Sequence, residues 1–344
     1  MPKRDRLSQV MIRAAVVGLG KMGLLHASLL NVIADVKVVA VCEKSRLISR
    51  FARKALTGIT LVSDVTQLSE LHPDVVYVTT PTSTHYTIAR MVLTQAISGN
   101  IFVEKPLASN YVQSEELCNL VKNSSTVHTS LVGYSRRFNV TFRKAREILL
   151  EGVIGDTLSF EAYALSSDFV ANQSTKKGTD RGGVLRDLAC HAIDLTIWFF
   201  GDLNVESVNS SKVSQAGLLD SASFLVSTRT GISGAIRASW CETNYRLPEI
   251  GLVIRGAKGQ TLVVNDDKLE LRNENGVQKS WHKQDLGDNT YFMLGGTDYF
   301  REDEEYMNAI KTGKSIEPSF LTASRVDEVV STMEKLVAEQ SHDR

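Results

Sequence analysis

Short runs of apolar and β-branched residues recur from Ile12 to about Gly133, and between them lie segments with apolar positions every three to four residues. Runs of the first kind suit strands buried on both faces, and the spacing of the second suits helices lying over them. The alternation predicts a parallel sheet covered by helices. Predicted strands cover 12–17, 36–41, 75–78, 101–103 and 127–132; predicted helices lie around 24–32, 46–55, 85–98 and 115–121. Beyond Gly133 the rhythm changes. A long helix over 140–151 leads to strands at 158–165, 221–228, 233–239 and 252–255, interrupted by a helix over 185–200. The pairs Thr230-Gly231 and Asn275-Gly276 suit hairpin turns and hence an antiparallel sheet. Helical spacing returns over 300–310 and 322–339, separated by Thr312-Gly313 and Pro318.

At 344 residues the chain exceeds what one hydrophobic core usually supports, so two domains are expected. Lys and Arg number 39 and so do Asp and Glu, so no net positive field exists to gather phosphate backbones or anionic lipid. Neither nucleic acid nor a membrane is an expected partner. Cys42, Cys118, Cys190 and Cys241 are widely spread, without the close spacing of a metal or disulfide framework, which suits reduced thiols in a cytoplasmic protein. The basic opening residues precede an apolar run too short for a signal peptide, and no later stretch is long enough to span a membrane.

Gly18-Leu19-Gly20-Lys21-Met22-Gly23 follows the first predicted strand and opens a helix. In that setting GxGxxG has a mechanical meaning: the first glycine makes the tight turn, the second lets a pyrophosphate approach the backbone, and the third packs helix on strand. The helix start offers free N–H groups and the positive end of its dipole to the phosphates. Glu43 ends the second strand about twenty residues past Gly23, where a carboxylate accepts ribose hydroxyls and favours NAD. Lys44 and Arg46 can turn toward a 2′-phosphate, which keeps NADP as the alternative. Thr79-Thr80-Pro81-Thr82-Ser83-Thr84-His85 follows another strand at the carboxyl edge, so Thr80, Pro81, Thr82 and His85 are candidate nicotinamide-ribose contacts. The same loop also reads as a helix start capped by Ser83 or Thr84.

The predicted fold is therefore α/β. After a tail at 1–11 comes an N-terminal Rossmann dinucleotide-binding domain at 12–133. A C-terminal α+β domain with a large, mainly antiparallel sheet follows at 134–344, its last helix packing back on the first domain.

Oxidising an alcohol at a nicotinamide needs a neutral proton acceptor and a group that stabilises alkoxide character. Glu104-Lys105-Pro106 follows a strand at the cofactor edge; Lys105 can lower the alcohol's pKa while Glu104 holds the lysine or contacts the ribose. In the helix that contains Asp187-Leu188-Ala189-Cys190-His191-Ala192-Ile193-Asp194, Asp187, His191 and Asp194 fall at i, i+4 and i+7 on one face. His191 suits the proton acceptor, Asp187 the binding of a substrate hydroxyl or the steering of the imidazole, and Asp194 the fixing of its other nitrogen. Asp187 and His191 also have ligand spacing, but no cysteine or further histidine stands near in a ligand pattern, so no metal is expected.

Taken together, GLGKMG, Glu43, TTPTSTH, EKP, the GG…DLACHAIDL helix, GYSRRF after residue 132 and the closing AIKTGK…PS…TASRV stretch resemble the Gfo/Idh/MocA oxidoreductases over nearly the whole chain. The resemblance implies a catalytic group of Lys105, Asp187 and His191, with His191 as acid/base and the other two holding the reacting hydroxyl. It implies a sugar, inositol or nucleotide-sugar substrate between the Rossmann edge and the open sheet, whose other face serves a homodimer or homotetramer. Arg136, Arg137 and Tyr163 are candidate substrate contacts. The alternatives are a non-catalytic cofactor-sensing regulator on the same fold and a glycosidase that uses NAD transiently.

Overall fold

The structure is a computed structural model that describes residues 11–55, 57–168, 182–213, 218–245, 247–288 and 296–342. Most of the predicted tail, residues 1–10, lies outside the described residues. Six strands, β1 (Ile12–Val17), β2 (Val36–Cys42), β3 (Thr60–Val62), β4 (Val75–Val78), β5 (Asn100–Val103) and β6 (Thr129–Val132), form one sheet in the order β3-β2-β1-β4-β5-β6. All of its pairings are parallel. The order reverses between β1 and β4, which opens a crevice beyond the carboxyl ends of those strands. Helices α1 (Lys21–Leu30), α2 (Arg46–Ala55), α3 (Thr82–Thr94) and α4 (Tyr111–Asn123) alternate with the strands. Every residue of β4, β5 and β6 is buried, as two-sided cover requires. Only three residues long and not fully buried, β3 lacks the apolar run that marks the others.

The second half begins with α5 (Val140–Leu150), capped by the Asn139 side chain accepting from the Thr141 N–H. An eight-stranded sheet follows, in the order β14-β13-β12-β11-β7-β10-β9-β8. Its strands are β7 (Thr157–Leu165), β8 (Leu203–Val213), β9 (Leu219–Thr228), β10 (Ser233–Ser239), β11 (Glu249–Gly256), β12 (Thr261–Asn265), β13 (Lys268–Asn273) and β14 (Gly276–His282). The β7–β10 pairing is parallel and the remainder are antiparallel. Phe160, Ala162, Phe224, Ile236, Leu252 and Ile254 line the buried face, where Phe160 stacks on Phe200 with ring centroids 4.7 Å apart. The opposite face is open and carries the half-exposed Leu225. Polar positions interleave along β8 and β12–β14, which hides them from a search for apolar runs.

The helix expected over 185–200 is built in two parts: a wide i→i+5 turn, Leu185–Ala189, runs into α6 (Cys190–Phe200). The chain then returns to the first sheet with α7 (Thr297–Thr312) against α1 and α8 (Phe320–His342) against α4. The Phe320 N–H donates to the Ser130 hydroxyl on β6 at 3.2 Å, tying the start of α8 to the Rossmann sheet. One apolar cluster runs from Val76 and Val103 in that sheet through α8 to Phe224 and Ile254 in the other. No helix among the described residues is long and apolar enough to cross a membrane.

Candidate active site

The turn after β1 has the shape a pyrophosphate needs. Gly18 has φ +93°, and a Cβ there would sit 2.7 Å from the Thr80 methyl carbon. A Cβ on Gly23 would lie 1.8 Å from the Gly18 carbonyl oxygen, so only glycine lets α1 approach β1 this closely. At Gly20 an added Cβ meets nothing within 4 Å, which is the open side a phosphate can occupy. Lys21 and Met22 open α1, with no side chain capping its N–H groups. The donor set and the open backbone fit a dinucleotide.

Glu43 does not stand free at the end of β2. One of its oxygens accepts the Leu19 N–H at 2.8 Å and the other accepts the Ser45 N–H at 2.7 Å, so the carboxylate braces the phosphate loop. Beyond it lies a recess of about 290 Å³ lined by Lys44, Arg46, Ser49, Arg50, Arg53 and Ser63. The expected ribose acceptor therefore adjoins a basic hollow, made where α2 turns Arg46, Arg50 and Arg53 toward one side.

The loop after β4 corrects two expectations. Helix α3 starts at Thr82 after Pro81, with no side-chain cap, and the Thr84 hydroxyl bonds back to the Pro81 carbonyl and the Thr80 hydroxyl. His85, expected at the cofactor, is buried; its ring nitrogens lie 2.8 Å from the carbonyl oxygens of Pro106 and Thr80. It straps the Thr80 turn to the loop that carries Lys105. Thr80 and Thr82 remain partly open at the crevice and Pro81 is exposed.

Lys105, Asp187 and His191 come together from the two halves of the chain. The Lys105 ammonium donates to the Asp187 carbonyl oxygen at 2.7 Å and lies 3.3 Å from its carboxylate. Burial disfavours the lysine's charge, but the carboxylates of Asp187 and Glu104 act against it and its pKa is raised, so the ammonium persists. His191 behaves oppositely. Burial, then the positive charges of Lys105 and Arg136, hold its imidazole well below the ordinary histidine value. Its Nδ1 has no hydrogen-bond partner among the described residues. The Cys190 thiol is pushed up to about 12 by burial and stays protonated. The wide turn at 185–189 sets Asp187 and His191 at different angles from those of a regular helix, and such turns are frequent at functional sites.

The remaining candidates divide. Arg136 is half-buried, pairs with Asp266 at 3.1 Å, and is one of the two cations acting on His191, so it joins the site. Arg137 does not: it is buried, bonded to both oxygens of Asp194 at 2.6–3.1 Å, and lies over the Trp198 ring. Asp194, expected to steer His191, is turned instead to that arginine. Tyr163 alternates with Ala162 and Ala164 and so emerges on the sheet's open face, away from α6, where its hydroxyl donates to Glu249 at 2.9 Å. Sequence reasoning overlooked His26, three residues past Gly23 on α1. Its Nε2 lies 3.0 Å from Glu104. Spacing on the buried side of α1 was the only signal available, and it reads equally as core.

Comparison with known proteins gives this geometry a context. The family model described as "Oxidoreductase family, NAD-binding Rossmann fold" matches residues 12–131, and the GFO/IDH/MocA C-terminal domain model matches residues 142–261. The chain is 26% identical over 325 residues to inositol 2-dehydrogenase of Rhizobium meliloti (strain 1021), covering 90% of this chain and 91% of that one. It is 30% identical over 211 residues to D-glucoside 3-dehydrogenase of Escherichia coli (strain K12), covering 60% and 59%. A solved levoglucosan dehydrogenase in complex with NADH superposes with a TM-score of 0.84 at 20% identity, covering 95% of this chain and 97% of that chain. At that identity the likeness establishes the fold.

Proposed function

The chain belongs to the GFO/IDH/MocA oxidoreductases and its cofactor is NAD, and from that premise we propose that it is a dehydrogenase acting on a ring hydroxyl, or the matching ketone, of a sugar, inositol or nucleotide sugar. The observation that carries the reading is the meeting of Lys105 with Asp187 beside an imidazole held neutral. Relatives named inositol 2-dehydrogenase and D-glucoside 3-dehydrogenase support the polyol class.

Bound NAD supplies the hydride acceptor at its nicotinamide ring. The chain does the rest. Gly18 to Gly23 and the start of α1 seat the pyrophosphate, while Thr80, Thr82 and Glu104 border the nicotinamide half. The Lys105 ammonium and the Asp187 carboxylate hold the reacting hydroxyl, and the cation stabilises the alkoxide character that grows as the hydride departs. His191, neutral because it is buried beside two cations, takes the hydroxyl proton and returns it in the reverse direction. Arg136, fixed by Asp266, borders the place where a second hydroxyl of the ring can bind.

We read the chain as a cytoplasmic homo-oligomer, a reading supported by its four free cysteines and by the open sheet face around Leu225. The test of the function is a panel of inositols, aldoses and nucleotide sugars followed by absorbance of the reduced cofactor. Lys105→Met and His191→Asn are each expected to lower kcat by about 10²–10⁴ while NADH still binds. Unchanged turnover in both variants overturns the mechanism; no turnover of any panel member by the native chain overturns the substrate class.

A further inference from the structure

His26 occupies a position the reaction does not itself require. It sits on α1, just past the phosphate turn, with no solvent exposure. Its Nδ1 lies 2.9 Å from both oxygens of Asp303 on α7, and its Nε2 lies 3.0 Å from Glu104. Tyr77 on β4 donates its hydroxyl to Asp303 at 3.0 Å. The ring is walled by Phe102, Tyr77 and Tyr299, with centroids 4.8, 5.4 and 6.2 Å away.

Carboxylates at both nitrogens can be satisfied together only when both nitrogens carry hydrogen. Burial works against that charge and is the largest single influence, but Asp303 and Glu104 overcome it and the imidazole's pKa stands well above 6.5. Glu302 is buried beside the cluster with neither oxygen bonded among the described residues, and burial pushes its pKa well above the ordinary carboxyl value.

This bridge joins parts that are far apart in the chain. Helix α1 begins at the pyrophosphate seat, Glu104 stands at the rim beside Lys105, and Asp303 belongs to the penultimate helix. The second oxygen of Glu104 accepts the Lys105 backbone N–H at 3.2 Å. In a sheet of this order the adenosine half of a dinucleotide lies toward β2 and the nicotinamide half toward β4 and β5. Glu104, at the end of β5, therefore borders the nicotinamide half and not the adenosine half.

We propose that His26 is a positioning residue: bridging Asp303 to Glu104, it holds the Glu104-Lys105 rim in register with the pyrophosphate seat, and so orders the nicotinamide half of the cofactor without touching it. The inference rests on the NAD seat of the preceding reading and is independent of the polyol.

The test compares NADH with ADP, which has the adenosine and pyrophosphate but lacks the nicotinamide ribose. Binding is measured by titration calorimetry in His26→Gln and Glu104→Gln variants of the full chain. Losing a buried hydrogen bond to a charged partner should weaken NADH about tenfold or more in both variants, with ADP affinity unchanged. Equal weakening of NADH and ADP in His26→Gln would mean that α1 itself had shifted, and would overturn the proposal. Native NADH affinity in either variant would also overturn it. Should His26→Gln fail to fold, Asp303→Asn, which weakens the end of the bridge away from the cofactor, decides by the same comparison. Because the readout is binding, a native chain that binds NADH yet oxidises no polyol would sink the proposed function and leave this inference standing.

Discussion

Replacing Asp194 by alanine separates two accounts of the catalytic helix. In the structure its carboxylate receives three contacts from Arg137 at 2.6, 2.9 and 3.1 Å, and the two side chains are 1% and 5% exposed. Removing one partner of such a buried pair strands the other charge, at a cost of about 3–5 kcal/mol. That is a large part of the roughly 5–15 kcal/mol that usually separates folded from unfolded chains. With a urea slope of about 3 kcal/mol/M, the unfolding midpoint should fall by about 1–1.7 M. Tryptophan emission is a suitable readout, since Trp198 lies 5.9 Å from the Arg137 guanidinium. Pairing Asp194→Leu with Arg137→Leu should recover part of the loss, because no unpaired charge then remains in the core. The reasoning fails if Asp194→Ala leaves the midpoint within about 0.3 M of native while kcat collapses. Asp194 would then be steering His191 after all.

Three further outcomes follow from the same geometry. His191 accepts a proton only when neutral, and its pKa lies well below 6.5, so the acid limb of the kcat/KM profile for oxidation should also lie below pH 6.5; a limb at or above it contradicts the assigned burial. Gly20→Ala should fold normally and lose NADH affinity, whereas Gly23→Ala should lose stability as well, its new Cβ falling 1.8 Å from the Gly18 carbonyl; equal melting temperatures for the two variants would contradict this. NAD should bind more tightly than NADP, and Glu43→Ser, which frees the Leu19 N–H beside a hollow lined by Arg46, Arg50 and Arg53, should narrow that ratio; a native chain that prefers NADP refutes the assignment.

The sequence made the Rossmann half readable because its chemistry is local. A parallel sheet writes itself as apolar runs, and Gly18, Gly20 and Gly23 specify one turn through sterics that need no distant partner. Lys105 and His191 were also legible, since each follows a recognisable local motif. What escaped depends on partners from elsewhere. Asp194 looks like a member of the His191 face until Arg137, 57 positions earlier, is seen to claim it. His85 reads as a loop histidine until the Pro106 carbonyl arrives beside it. Tyr163 could have pointed either way, because a strand's parity becomes meaningful only once the covered face is known. His26 has no local signature beyond its place on the buried side of α1, for its carboxylates lie 78 and 277 residues away.

The wide turn at Leu185–Ala189 also has a consequence for how this protein can vary. The extra residue in its i→i+5 ring goes with an Asp187 carbonyl that faces the Lys105 ammonium. Deleting any single amino acid there would restore the common winding and swing everything upstream by about 100° about the axis. Side-chain exchanges in that stretch can be absorbed one at a time, but its length cannot drift, so insertions and deletions should be tolerated in the hairpin loops and lethal to turnover here.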